Sequence, residues 1–258
     1  MAPMRTLHFR RRRGRATIAQ RKASPMNVPE APIPAAAAMD AAMRARKSTR
    51  AFRADPVSRR QVEEILAIAG SAPSNSNTQP WQVLVLAGEP QRALSAALLQ
   101  AHEANSLPAF AHFPETLPPA CGSRQDDFGA RYYSALGIDR SDAAARARQT
   151  GRNFGFFGAP VGLIFTIDAG LKPHSWLDYG LYLQSVMLAA TARGLATCPQ
   201  VSFARYQPVI AQQLRLPAGQ RVLCGMSLGY ADHSAAVNQL DMPREPLDKL
   251  VTLLGFED

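Results

Sequence analysis

Cysteine is scarce in this 258-residue chain: Cys121, Cys198 and Cys224 lie far apart and are odd in number. They form no CxxC pair and no zinc-type spacing. That argues against a disulfide framework or a structural metal, and a reducing, cytoplasmic setting is expected. No run of 18 apolar residues occurs, so no membrane span is expected. Charged residues make up only 19% of the chain against an ordinary 47% apolar. The familiar catalytic signatures are missing as well. There is no GxGxxG after a strand, no GxxxxGK[ST], no HExxH and no GxSxG. Five histidines are scattered without ligand spacing, and paired carboxylates are scarce in the apolar segments. An enzyme built this way does not advertise its own acid, base or nucleophile, and a borrowed cofactor is the expected source of its chemistry.

What is present in excess is arginine, at one end. The net charge is +9, yet seven Arg and one Lys fall within residues 1–22, and no acidic residue precedes Glu30. The rest of the chain is therefore near neutral, and the basic excess is a tail rather than a groove. Three readings of the tail stand: a solvated, disordered extension, an arm for nucleic acid or a membrane surface, or a transit-type peptide. "SPMNVPEAPIPAAAA" after it is a Pro/Ala linker. Residues 1–34 are accordingly set apart from a folded domain over 35–258, long enough to bury a sizeable core.

That domain alternates helix and strand. Helices are expected over Ala35–Lys47 and over Arg59–Ala69, the latter capped by Ser58, acidic in its first turn and stopped by Gly70. Others are expected from Pro90 to about Ala104, Arg124–Leu136 and Asp142–Phe154. A long helix starts at Ser175 or Asp178 and ends at Arg193 with Gly194 as its C-terminal cap. A last one covers Phe203–Leu214. Strands are expected over Trp81–Ala87, Val161–Ile167, Leu195–Cys198 and Val222–Tyr230. The four-proline stretch from Ser106 to Ser123 reads as a long loop. Few hairpin signals and strands separated by helices point to a mixed α/β or α+β fold.

Two stretches carry candidate chemistry. In "RARKSTRAF", Arg46, Ser48 and Arg50 alternate. An extended chain would place them on one face, where two guanidinium forks and a hydroxyl suit a phosphate monoester. A solvated basic loop is the other reading. In "SAPSNSNTQPW", Ser74 to Thr78 are all short and polar, between Pro73 and Pro80. The loop is either an Asx/Ser turn capping a strand or a stiff binding loop, while Trp81 is expected in the core.

These two pieces, followed by "ATCPQVSF", "CGMSLGYAD" and "MPREPL", resemble the FMN-dependent nitroreductase family from about Met39 to the C-terminus. The resemblance implies an α+β fold with a central, mostly antiparallel mixed sheet flanked by helices. It also implies a homodimer with FMN at the subunit interface. Carried onto this sequence, Arg46, Lys47, Ser48 and Arg50 would serve the phosphate side. Pro73, Ser74, Asn75, Ser76 and Asn77 would lie against the flavin from the opposite subunit. Pro199, Gln200, Val201 and Ser202 would approach flavin N5 and O4, chiefly through backbone N–H groups. Relatives often have an acidic residue and a glycine where Val201 and Ser202 stand, which removes a side-chain role here. Ser202 is also a candidate helix cap. Arg244 is similar to a late arginine that reaches the phosphate, though it also reads as a surface charge. Met242 stands where some relatives have a lysine.

The implied activity is ping-pong: NADH or NADPH delivers hydride to flavin N5, then a nitroaromatic, quinone or other flat acceptor is reduced. Residues 105–158 are the expected lid. Phe110, Phe113, Tyr132, Tyr133, Phe154, Phe156 and Phe157 are available to sandwich a flat substrate, with core packing the alternative for each. Two rivals remain: another flavin chemistry of the same fold, reductive dehalogenation or flavin cleavage, and a nucleic-acid-binding module led by the tail.

Overall fold

Val161–Asp168 is apolar on both faces, which suits the interior of a sheet covered on both sides. It occupies that position in the computed structural model, which describes residues 33–105 and 114–256. The four strands are β1 (Gln82–Ala87), β2 (Val161–Asp168), β3 (Ala196–Gln200) and β4 (Gln220–Gly229). They lie in the order β1-β2-β4-β3 with every neighbouring pair antiparallel. The α+β fold is thus as expected.

The period of two divides β2 between two cores. Leu163, Phe165 and Ile167 face α2 (Arg59–Ala69) and α6 (His174–Thr191), packing with Val62, Ile65, Tyr182 and Val186. Ile164 faces the other way, toward Leu94 and Leu98 of α3 (Gly88–Glu103) and Ile210 of α7 (Gln207–Leu214). Two glycines shape this second face. A Cβ at Gly162 would lie 2.5 Å from the Phe156 ring, and one at Gly225 would lie 2.8 Å from the Phe203 ring. Lacking Cβ atoms, the strands let both rings settle directly on the sheet. Trp81, expected in the core, stacks on Tyr182 with centroids 4.6 Å apart. The Tyr179 hydroxyl lies 2.9 Å from the carbonyls of both Gln82 and Thr166 and pins α6 to the sheet. Burial pushes that phenol's pKa upward.

Several element boundaries differ from expectation. Helix α2 runs from Arg59 to Ala69 behind a Ser58–Gln61 capping box, but its first turn holds no acidic residue. Glu63 and Glu64 sit one turn on, paired with Arg59 at 2.6 Å and Arg60 at 2.8 Å. Neither Ser175 nor Asp178 caps α6. The helix begins at His174 after Pro173, and both residues are buried inside it. Strand β3 continues through Pro199 to Gln200. It is an edge strand, where a residue without an N–H is tolerated. The helical stretch after it opens as a 3-10 turn, Val201–Tyr206, before α7. Helix α4 (Pro119–Ala135) starts four residues before Ser123, with proline in its first turn as the missing N–H allows. Helix α5 (Ala143–Gly151), capped by Asp142, stops short of Phe154. Among the described residues, no helix is long and apolar enough to cross a membrane.

Candidate active site

The segment after α1 (Ile33–Ala45) is extended and held on both sides. Ser48 forms a parallel bridge with Thr197 of β3, and Phe52 an antiparallel one with Ala231. Thr49 N–H donates to Thr197 O at 2.9 Å. Asn238, a residue that no motif singled out, accepts from Arg50 N–H at 2.8 Å and donates to the carbonyls of Ala51 and Asp232. Strict alternation does not hold here: Lys47 is exposed and Thr49, two residues on, is buried, with Lys47 Nζ 3.7 Å from Asp241. Arg46 and Ser48 are half-buried. Two of the stretches singled out in sequence, 46–50 and 197–202, are therefore adjacent, although they lie some 150 residues apart in the chain.

Arg50 does not extend into solvent. Its Nη1 donates to Ser48 O at 3.3 Å, and its guanidinium lies 5.4 Å from the Phe128 ring centroid and 5.2 Å from that of Tyr132. These three residues line one side of a cavity of about 200 Å³. The remaining wall is Tyr133 of α4, Gln149 and Thr150 of α5, and Asn153 and Phe157 just beyond. Apart from Arg50, every described residue of the wall belongs to the 105–158 insert. Phe128 and Tyr132 stand one helical turn apart and stack at 5.5 Å, as i,i+4 spacing on α4 permits. Gln149 Nε2 donates to the Tyr132 hydroxyl at 2.7 Å. Burial raises the pKa of that phenol, so it keeps its proton at neutral pH.

The insert is tied to the sheet by Gln200. Its Nε2 donates to Asn153 O at 2.7 Å, and its Oε1 accepts from Ser227 Oγ at 2.9 Å. Gln200 is 3% exposed, so its side chain is structural; only its backbone is left for a ligand. Ser202 is not a helix cap. It lies inside the 3-10 turn, and its Oγ is buried with no hydrogen-bond partner. The Thr197 Oγ1 beside Ser48 is in the same condition. Pro199 is paired opposite Met226, and Val201 is 55% exposed.

Other predicted residues lie away from this cavity. Phe154 packs in the core against Phe203 and Tyr206 and is 2% exposed, so it faces no open space; Phe156 is likewise buried. Phe110 and Phe113 fall outside the described residues. The Ser74–Asn77 loop does not line the cavity. Asn75, Ser76 and Asn77 are exposed, and Ser76, Asn77 and Gln79 hold left-handed φ values of 52°, 56° and 46°. Such backbone is costly for non-glycine residues and needs outside support. Asp178 supplies it, accepting Asn75 N–H at 3.1 Å, and Ser74 Oγ accepts from Gln79 N–H at 3.0 Å. Arg244 also lies off the cavity wall, its Nη1 donating to the carbonyls of Met242 and Pro243.

Sequence reading missed Phe128, Gln149, Asn153, Asp178 and Asn238. The i,i+4 spacing of Phe128 with Tyr132 and of Gln149 with Asn153 was the available signal for the cavity wall. Asp178 and Asn238 act across more than 100 residues and left none.

Arg46 and Arg50 form no ion pair among the described residues, and the hydroxyl of Thr197 beside Ser48 and that of Ser202 in the following 3-10 turn are unsatisfied. Buried polar groups of this kind normally find partners. The set therefore fits an acceptor-rich, anionic and partly aromatic ligand.

Comparison with known proteins bears on the family of the chain. The family model described as "Nitroreductase family" matches residues 43–230. The 4-nitrobenzoate reductase of Pseudomonas putida is 54% identical over 218 residues, covering 84% of this chain and 96% of the relative. The nitrobenzene nitroreductase of Ectopseudomonas oleovorans is 41% identical, covering 86% and 99%. Among solved structures, the FMN-dependent nitroreductase NfnB from Mycobacterium smegmatis in complex with NADPH superposes with a TM-score of 0.82. It is 34% identical and covers 86% of this chain and 100% of that one. The chain belongs to the nitroreductase family.

Proposed function

We propose that this protein is an FMN-dependent oxidoreductase that reduces nitroaromatic compounds with NADH or NADPH. The observation that carries the reading is Arg50, a cation without a carboxylate partner among the described residues, held against aromatic rings at a cavity. Family membership and relatives named for nitrobenzoate and nitrobenzene reduction support it.

Arg46, Ser48 and Arg50 hold the cofactor's phosphate and ring edge, with Lys47 contributing through its backbone. Residues 199–202 offer backbone groups, and the hydroxyls of Thr197 and Ser202 offer the hydrogen bonds they lack in the chain alone. When bound, FMN supplies the transfer of reducing equivalents from the nicotinamide to the acceptor. The chain's own side chains position and shield. Phe128, Tyr132, Tyr133 and Phe157 form apolar walls that exclude water and orient a flat ring. Tyr132, still a phenol, and Gln149 present polar groups at that wall. No carboxylate lines the cavity among the described residues, so the acidic grip of a lid built for a zwitterion is not what supports this site.

The insert 105–158 is the lid of the site, and the active form is a homodimer. Leu247, Leu250, Leu253, Leu254 and Phe256 are each more than 60% exposed, and so much apolar surface in one short stretch favours a covering partner. A second copy would bring the 73–77 loop and Arg244 to the flavin. A cytoplasmic location accords with three free cysteines.

The test is flavin content with turnover. Purified protein should release FMN, not FAD, on denaturation and, under anaerobic conditions, should consume more than one equivalent of NADH or NADPH per flavin only when a nitroaromatic is supplied. Release of FAD, or no flavin after reconstitution, overturns the reading.

A further inference from the structure

Arg146 belongs to no part of the flavin site and is not itself among the residues lining the cavity, but it packs against one of them. It lies on α5 three and four residues before Gln149 and Thr150, on the face that supplies part of the wall. Its guanidinium is 4.2 Å from the centroid of Tyr133, another wall residue. The side chain is half-buried, and its Nη1 has a weak bond to Arg140 O at 3.4 Å. Among the described residues it forms no ion pair. The acidic groups nearest in sequence are engaged elsewhere. Asp139 accepts from the backbone and hydroxyl of Ser141, and Asp142 accepts from Ala145 N–H at 2.8 Å. A guanidinium fixed on an aromatic platform, without its own carboxylate, matches a planar carboxylate attached to a ring.

We infer that Arg146 reads a carboxylate on the substrate, so that the preferred acceptors are anionic nitroaromatics, nitrobenzoates rather than neutral nitrobenzenes. This rests on the nitroreductase reading and adds to it, since relatives named for both charged and neutral substrates match the chain. A substrate ring beside Tyr133 would bring its carboxylate toward the guanidinium, while Arg50 remains with the flavin.

The experiment compares 4-nitrobenzoate with its neutral methyl ester. The ratio of their kcat/KM values is measured for the wild type, Arg146→Gln and Arg146→Lys, each checked for bound FMN. The wild type should favour the acid at least about tenfold, Arg146→Gln should lower the ratio about 10- to 100-fold, and Arg146→Lys should recover part of it. Added salt should erode the wild-type preference. A wild-type ratio near one overturns the inference. So does an Arg146→Gln variant in which both rates fall together, since that marks a packing role. A flavin-loaded wild type that reduces neither compound overturns the nitroreductase reading itself, and the inference with it.

Discussion

Arg50 is bounded by the faces of Phe128 and Tyr132 and by one backbone carbonyl. Cation–π contacts are worth about 0.5–2 kcal/mol, and they leave the guanidinium's hydrogen-bonding capacity largely unused. Loss of a charge-assisted bond to a desolvated anion costs about 1.5–3 kcal/mol. Arg50→Ala should therefore weaken FMN binding roughly 10- to 150-fold in a titration of apo-protein. Arg92→Ala, at an exposed position on α3, should stay within about twofold. The cysteines give a second test at this scale. Burial pushes Cys198 up to about 11 and Cys224 up to about 12, whereas Cys121 is exposed. The thiolate is the nucleophile, so a thiol reagent should label Cys121 alone in the native protein and all three after denaturation, as counted by mass spectrometry. At this scale the sequence was legible where a local rule applied, as at the Ser58 cap, whereas the i,i+4 spacing of Phe128 with Tyr132 was present but went unread. It was not legible for Phe154, because nothing local distinguishes a ring that lines a cavity from one that fills a core.

Strands and helices were largely readable from periodicity and caps, and the errors cluster where tertiary contact overrides local preference. Asp178 has the chemistry of a helix cap and is instead drawn inside α6, because the 74–79 loop needs an acceptor for Asn75 N–H. Asp178→Ala should free that loop from the side-chain anchor that α6 gives it at Asn75. Hydrogen exchange at the Asn75 amide should quicken while the core of β2 keeps its protection, and flavin affinity should fall. An unchanged exchange rate would show that the loop holds its own shape. The two sheet glycines make the opposite kind of element-scale demand. Gly225→Ala places a methyl group 2.8 Å from the Phe203 ring. Such overpacking typically costs about 1–3 kcal/mol, so the midpoint of thermal unfolding should drop clearly, with flavin affinity of the folded fraction retained. Strand β3 running on through Pro199 was hidden for a related reason: proline argues against a strand unless that strand lies at an edge, and edge position is a property of the whole sheet.

At the scale of the molecule, the antiparallel sheet, the helices around it and family membership all followed from the order and spacing of five short pieces of sequence. The cavity did not, because its wall joins Arg50 to an insert that begins more than 50 residues later and shows no motif of its own. The proposed second copy would account both for the exposed apolar residues near the C-terminus and for the polar loop that does not line the cavity. Light scattering should accordingly report twice the chain mass of 28.0 kDa, and added FMN should raise the stability of apo-protein by mass action.

The most direct test of the central claim is anaerobic and optical. NADPH or NADH should bleach the oxidised-flavin absorbance of the purified protein. A stoichiometric addition of 4-nitrobenzoate should then restore it, with FMN alone recovered on denaturation. A spectrum that bleaches but does not recover with any nitroaromatic, or a protein that carries no FMN, would contradict the account.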